Sequence, residues 1–157
     1  MRYLVVAVVA AAALAFSIVA VPAAQAGAPN SGGGSFTLVS SVVTNVRTVG
    51  PNTILQTTDM YALTGSFSGT EVCNTMTGIR STGETIFGLK CAFTGTVEGN
   101  AGTARVLAFG TGAADGSFHG RTAFGGGTGD LAGLTGNGTF EGAGTSGTYS
   151  VQIHFAP

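Results

Sequence analysis

The stretch CNTMTGIRSTGETIFGLKC, residues 73–91, carries two cysteines, the only ones in the chain, at its two ends. Between them, apolar and polar residues alternate on either side of a short Ser-Thr-Gly segment. Alternation with period two marks a strand, and a three-residue loop ending in glycine marks a hairpin with a left-handed residue at its close. If Ser81, Thr82 and Gly83 form the loop, the register of the hairpin is set. Arg80 then opposes Glu84, Ile79 opposes Thr85, Thr77 opposes Phe87 and Thr75 opposes Leu89. Cys73 falls opposite Cys91. Directly opposed residues hold their Cβ atoms about 4.5–5.5 Å apart, closer in non-hydrogen-bonded pairs, where a disulfide can fit. One register therefore satisfies the turn, an opposite-charge pair and the thiols, and it reads as a stapled antiparallel hairpin.

The same rhythm runs through the rest of the chain. Residues 35–46 read as a long strand, and residues 53–69 as one bent strand or two short ones in which Tyr61, Leu63, Gly65 and Phe67 share a face. Further on, residues 103–112, 117–126, 135–142 and 148–155 alternate in the same way, separated by turns at 98–102, 114–116 and 143–147. This predicts eight or nine strands joined by short turns, hence an antiparallel meander. A meander of that length with one apolar face needs a second sheet or must close on itself, and closure removes exposed edges. The expected fold is all-β, an eight-stranded antiparallel up-and-down barrel, with a β-sandwich as the runner-up. An eight-stranded barrel has an interior just wide enough to be filled or to hold one small ligand.

The first 26 residues carry a basic Arg2, an apolar run over residues 4–21, Pro22 and a small-x-small Ala24-Gln25-Ala26 site. That order predicts a bacterial signal peptide cleaved after Ala26 rather than a retained membrane anchor. Residues 27–34 then read as a flexible glycine-rich leader, and residues 35–157 as one barrel domain. The expected location is secreted or cell envelope, where a Cys73–Cys91 disulfide is the default.

All 27 glycines lie beyond residue 26, and the chain carries a net charge of only −1. No basic patch exists for nucleic acid. Neither a membrane nor a cofactor is expected as a partner after export; oligomer formation stays open.

The glycine-rich residues 125–140, GGGTGDLAGLTGNGTF, miss the phosphate-loop templates, because no lysine and no helix follow. A calcium nonapeptide would place its aspartate one position later and repeat in tandem. The segment reads as a turn between two strands, with Asp130 as a possible cap for residues 131–134.

No G-x-S-x-G elbow is present. His119 and His154 alternate away from the apolar faces, as does Lys90, and Glu98, Asp115 and Asp130 fall at turns. Metal ligation by the two cysteines would need more ligands at suitable spacing. No catalytic residue is assigned. The aromatic residues Tyr61, Phe67, Phe87, Phe93, Phe118, Phe124, Phe140 and Tyr149 are the candidates to line or fill a lumen.

Three segments, FTGTVEG (residues 93–99), GTARVLAFGT (102–111) and above all GGTGDLAGLTGNGTF (126–140), resemble a bacterial secreted family of uncharacterised proteins with an allene oxide cyclase-like, or dirigent-like, β-barrel. The resemblance spans about half of the chain after residue 26. It implies an eight-stranded barrel whose lumen holds an apolar, often polyene or phenolic, molecule. Two functional classes follow. One is a non-catalytic barrel that binds an apolar small molecule or serves as an envelope interaction module. The other is a cofactor-free cyclase or isomerase working in the lumen.

Overall fold

The computed structural model describes residues 29–156; the expected signal peptide, residues 1–26, lies outside them. Eight strands follow in order: β1 (Asn30–Val49), β2 (Asn52–Gly65), β3 (Phe67–Ile79), β4 (Thr85–Val97), β5 (Asn100–Gly112), β6 (Ser117–Gly129), β7 (Leu134–Ala143) and β8 (Ser146–Phe155). Each pairs antiparallel with the next, and β1 pairs with β8 to close the barrel.

The β3–β4 hairpin has the register its sequence dictates. Ile79 pairs with Thr85, Thr77 with Phe87, Thr75 with Leu89 and Cys73 with Cys91. Cys73 and Cys91 form a disulfide. The turn closes with Arg80 N–H donating to the Glu84 carbonyl at 2.9 Å, and Gly83 sits at φ 86°. Arg80 and Glu84 form an exposed ion pair at 3.5 Å.

The expected flexible leader, residues 27–34, is strand from Asn30 onward. Asn30 to Gly34 already belong to β1 and pair with Ile153 to Tyr149. The glycines there are required by space. A Cβ on Gly34 would lie 1.9 Å from the Thr64 carbonyl oxygen and 2.5 Å from the Tyr149 hydroxyl. β2 and β3 are separate strands, and Ser66 marks the break. Its hydroxyl accepts from Gly33 N–H at 3.1 Å, which ties the break to β1.

The two ends of the barrel differ. At the lower end, where β2, β4 and β6 finish, the interior is packed. Phe67 lies 5.2 Å from Phe93, 5.0 Å from Phe124 and 6.0 Å from Tyr149, ring centre to ring centre, near perpendicular in each case. Leu131, in the turn between β6 and β7, is fully buried, and Leu134 beside it nearly so. That glycine-rich turn therefore stoppers the barrel. Backbone bonds hold it, among them Asp130 N–H to the Ala101 carbonyl at 2.9 Å. No hydrogen bond of the Asp130 side chain is found among the described residues, so the expected cap is replaced by backbone pairing. Within the run of three glycines a β-bulge falls opposite Ala104, between the pairs Thr103–Thr128 and Arg105–Gly125, with Gly126 at φ 62°. Such an extra residue bends the strand toward the turn.

At the upper end β1 outruns its partner. Pairing with β8 stops at Thr37–Ser146, while pairing with β2 continues to Val49–Asn52. Val39, Val42, Val43, Val46 and Val49 are consequently exposed.

Candidate functional site

A cavity of about 340 Å³ occupies the barrel. Its wall combines aliphatic and aromatic side chains with a few polar groups, the composition of a small-molecule site. Seven of the eight aromatic candidates line it: Tyr61, Phe67, Phe87, Phe118, Phe124, Phe140 and Tyr149. Phe93 does not; it is wholly buried in the lower packing against Phe67. Phe36, which sequence reading passed over, joins the upper rings. It lies 6.1 Å from Tyr61 and from Phe118, and 6.3 Å from Phe140.

Glycine makes room for these rings. Phe87 pairs with Gly110, Phe140 with Gly120, Phe118 with Gly142, Phe124 with Gly136 and Phe36 with Gly147. At Gly110, Gly120, Gly136, Gly142 and Gly147 an added Cβ would come within 2.3–2.8 Å of the facing ring. Each ring thus lies flat over a neighbouring strand that has no side chain there. Phe36, Phe87, Phe118 and Phe140 meet across the upper lumen, with ring centres 6.1–6.4 Å apart.

Most polar groups of the cavity, both carboxyls among them, come from β1, β2 and β3; Thr122, Thr145 and Tyr149 add hydroxyls from β6, the β7–β8 turn and β8. Asp59 is buried and accepts three hydroxyl hydrogen bonds: from Ser41 at 2.6 Å, from Thr57 at 2.9 Å and from Thr75 at 2.5 Å. Glu71 pairs across the sheet with Tyr61 on one side and Phe93 on the other. It receives no hydrogen bond among the described residues, and the surface it retains opens into the cavity. Burial pushes its carboxyl up to about 7. Burial, followed by the charges of Asp59 and Glu71, pushes the Tyr61 hydroxyl to about 12. Tyr61 therefore stays protonated at any ordinary pH.

Tyr149 has a structural task as well as a place in the wall. Its hydroxyl accepts from Phe67 N–H at 2.9 Å and donates to the Thr64 carbonyl at 2.9 Å. It pegs the junction between β2 and β3. Burial raises its hydroxyl above the usual tyrosine range.

Sequence reading missed the carboxyls, although the signal was present. Asp59 shares the parity of Tyr61, and Glu71 that of Cys73, whose inward direction the hairpin register fixes. The acids singled out at turns lie elsewhere. Glu98, Asp115 and Asp130 are exposed, and Asp115 binds the Ser117 N–H and hydroxyl at 2.9 and 2.7 Å. His119 and Lys90 are exposed and His154 is partly so. The Glu71 carboxylate lies within 4.8 Å of both disulfide sulfurs. Joined to each other, those sulfurs are not the thiolates that a metal would need.

The cavity extends to Leu38, Ser41, Gly144 and Thr145, where β1 parts from β8. A second recess of about 950 Å³ shares Phe87, Phe140 and Tyr149 with the cavity but is lined largely by outward residues, including Met76, Ile86, Phe109, His119, Arg121 and Glu141.

No protein-family model matches this sequence, and no curated protein matches it. Among solved structures, the chain is similar to a protein of unknown function from the DUF3224 family of Shewanella oneidensis. The TM-score is 0.70 at 17% identity, over 82% of this chain and 98% of that one. At that identity the likeness is one of fold.

Proposed function

We propose that the protein binds an apolar small molecule in its lumen, entering where β1 parts from β8. The observation that carries this reading is the cavity of about 340 Å³ inside the barrel, walled mainly by aromatic and aliphatic side chains. Its size falls in the range of small-molecule sites. The barrel resemblance to allene oxide cyclase-like proteins supports the same reading. We place the protein outside the cytoplasm, on the signal-like residues 1–26 and on the disulfide, which suits an oxidising compartment.

The test is displacement of a neutral apolar fluorophore. Ala108 lines the cavity, and Ala108→Phe fills it. Probe affinity is expected to fall at least tenfold while the fold, followed by circular dichroism, persists. Unchanged affinity in the folded variant would refute lumen binding.

Two observations favour the other readings. Glu71, poised near neutrality inside an apolar cavity, has the character of a proton donor or acceptor for a cofactor-free cyclase or isomerase. In that case Glu71→Gln abolishes turnover of an apolar polyene but not its binding. The exposed Met76, Ile86, Leu107 and Phe109 on the outer wall suit an interaction module. Phe109→Asp would weaken that contact and leave the lumen untouched.

A further inference from the structure

Resting on lumen binding, the charge of the cavity narrows the class of ligand. Two carboxyl side chains, Asp59 and Glu71, face the lumen. No lysine, arginine or histidine does so among the residues that line it. Arg47, Arg80, Lys90, Arg105 and Arg121 are all exposed. An anion placed in this cavity would meet two acids and no counter-charge, in surroundings where charges are poorly screened.

The two acids are not equivalent. Asp59 is saturated by Ser41, Thr57 and Thr75. Glu71 has no donor among the described residues, although carboxylates withdrawn from water are ordinarily paired. It stands opposite Tyr61, and Asp59 stands opposite Cys73. The two acids are diagonal neighbours on one face, a placement that puts them about 7–8 Å apart, with their Cβ atoms somewhat closer. A single ammonium can feel both.

Glu71 also lies at the lower end of the cavity, next to the ring of Phe93 across the sheet and below Thr75 and Thr77 on its own strand. The apolar wall, with Leu89, Phe87, Phe118, Phe140 and Leu38, lies above it toward the opening.

We propose that the lumen ligand is an amphiphilic amine. Its protonated nitrogen is received by Glu71, with Asp59 adding field, and its apolar body extends toward the opening between β1 and β8. The Tyr61 and Tyr149 rings beside the nitrogen add cation–π attraction. Below about pH 7, where burial keeps Glu71 protonated, binding also releases that proton to solvent. The titratable groups that face Glu71 are Asp59 and Tyr61 on β2, and Tyr149 on β8. Burial holds the two tyrosine hydroxyls above their usual range, so they keep their protons as the ligand enters.

Calorimetry with three probes of one chain length, decylamine, decanol and decanoate, tests the idea on the purified protein at pH 8. Decylamine is expected to bind at least tenfold more tightly than decanol, with decanoate weakest. In Glu71→Gln the preference for the amine over the alcohol is expected to shrink below threefold. A second variant, Glu71→Asp, keeps part of the preference if charge is what matters. If all three probes bind alike, or if Glu71→Gln keeps the full preference for the amine, the amine inference falls while lumen binding stands. If none of the three binds and the neutral apolar fluorophore is also not taken up, lumen binding falls and this inference with it.

Discussion

Replacing Glu71 by glutamine should change stability in a manner that depends on pH. In the unfolded chain a glutamate titrates near 4.5, whereas in the barrel burial lifts this carboxyl to about 7. The folded state therefore holds its proton more tightly. Below about 4.5 the residue is protonated in both states and has no effect through its charge. Between 4.5 and 7 the unfolded chain releases the proton first, so stability falls as pH rises. Above 7 the loss is complete. At about 1.4 kcal/mol per pH unit the full span amounts to about 3 kcal/mol. Water in the cavity softens this to about 2 kcal/mol. Glutamine keeps the shape and removes the charge. At pH 8, Glu71→Gln should thus unfold about 8 °C higher than the parent protein, taking about 4 °C per kcal/mol for a domain of this size. At pH 4 the two should unfold together. Thermal unfolding of both proteins at several pH values is the assay. Comparing the pair cancels every other titrating group. A difference that stays constant from pH 4 to pH 8 would refute the argument, because a burial penalty on charge must vanish when the charge does.

Three further outcomes follow from the packing. The disulfide closes a loop with a sequence separation of 18, and a Cys73→Ala, Cys91→Ala double variant should lose about 3 kcal/mol in denaturant unfolding; a loss below about 1 kcal/mol would show that it constrains little. Tyr149→Phe leaves the buried Phe67 N–H without its acceptor, so the same measurement should record a loss of about 1–3 kcal/mol. In Gly120→Ala the new methyl would stand 2.3 Å from the Phe109 carbonyl oxygen and 2.3 Å from the Phe140 ring, a collision that should cost about 1–3 kcal/mol. Gly88→Ala is the control, since its nearest neighbour, the Ala108 carbonyl oxygen, is at 3.9 Å, and it should be close to neutral.

How far the molecule is legible in its sequence depends on how local the information is. The β3–β4 hairpin is legible to the residue, because its turn, its charge pair and its cysteines act within one stretch of chain. Strand parity likewise gives the inward direction of Phe87, Phe118, Phe140 and Tyr149. The glycines of β1 mislead for a definite reason. Gly32 to Gly34 look like a flexible leader in isolation, and only the proximity of β8 and of Thr64, far along the chain, shows that no side chain would fit. Asp59 and Glu71 were obscured differently. They sit at inward positions where an apolar residue is the expected choice, and an acid there reads at first as a break in the pattern. The pairing of phenylalanine with glycine is legible only after register, since the two partners come from different strands.

Closing the barrel through β1 and β8 has a consequence for how the chain reaches this form. Every other pairing joins neighbours in sequence and is made across a short turn. The seam joins Asn30 to Ile153, from opposite ends of the chain. Seven hairpins can zip in any order at small entropic expense, but the seam must wait for the whole ribbon to curl. Late closure makes the seam the natural place for slow kinetics. It also places the two ends of the domain side by side, so that a permuted chain, joined there and opened at the turn after Ala113, keeps all eight strands in the same circular order. Folding of such a permutant would convert the slow, long-range step into a local one and move the long-range step to a hairpin that now closes quickly.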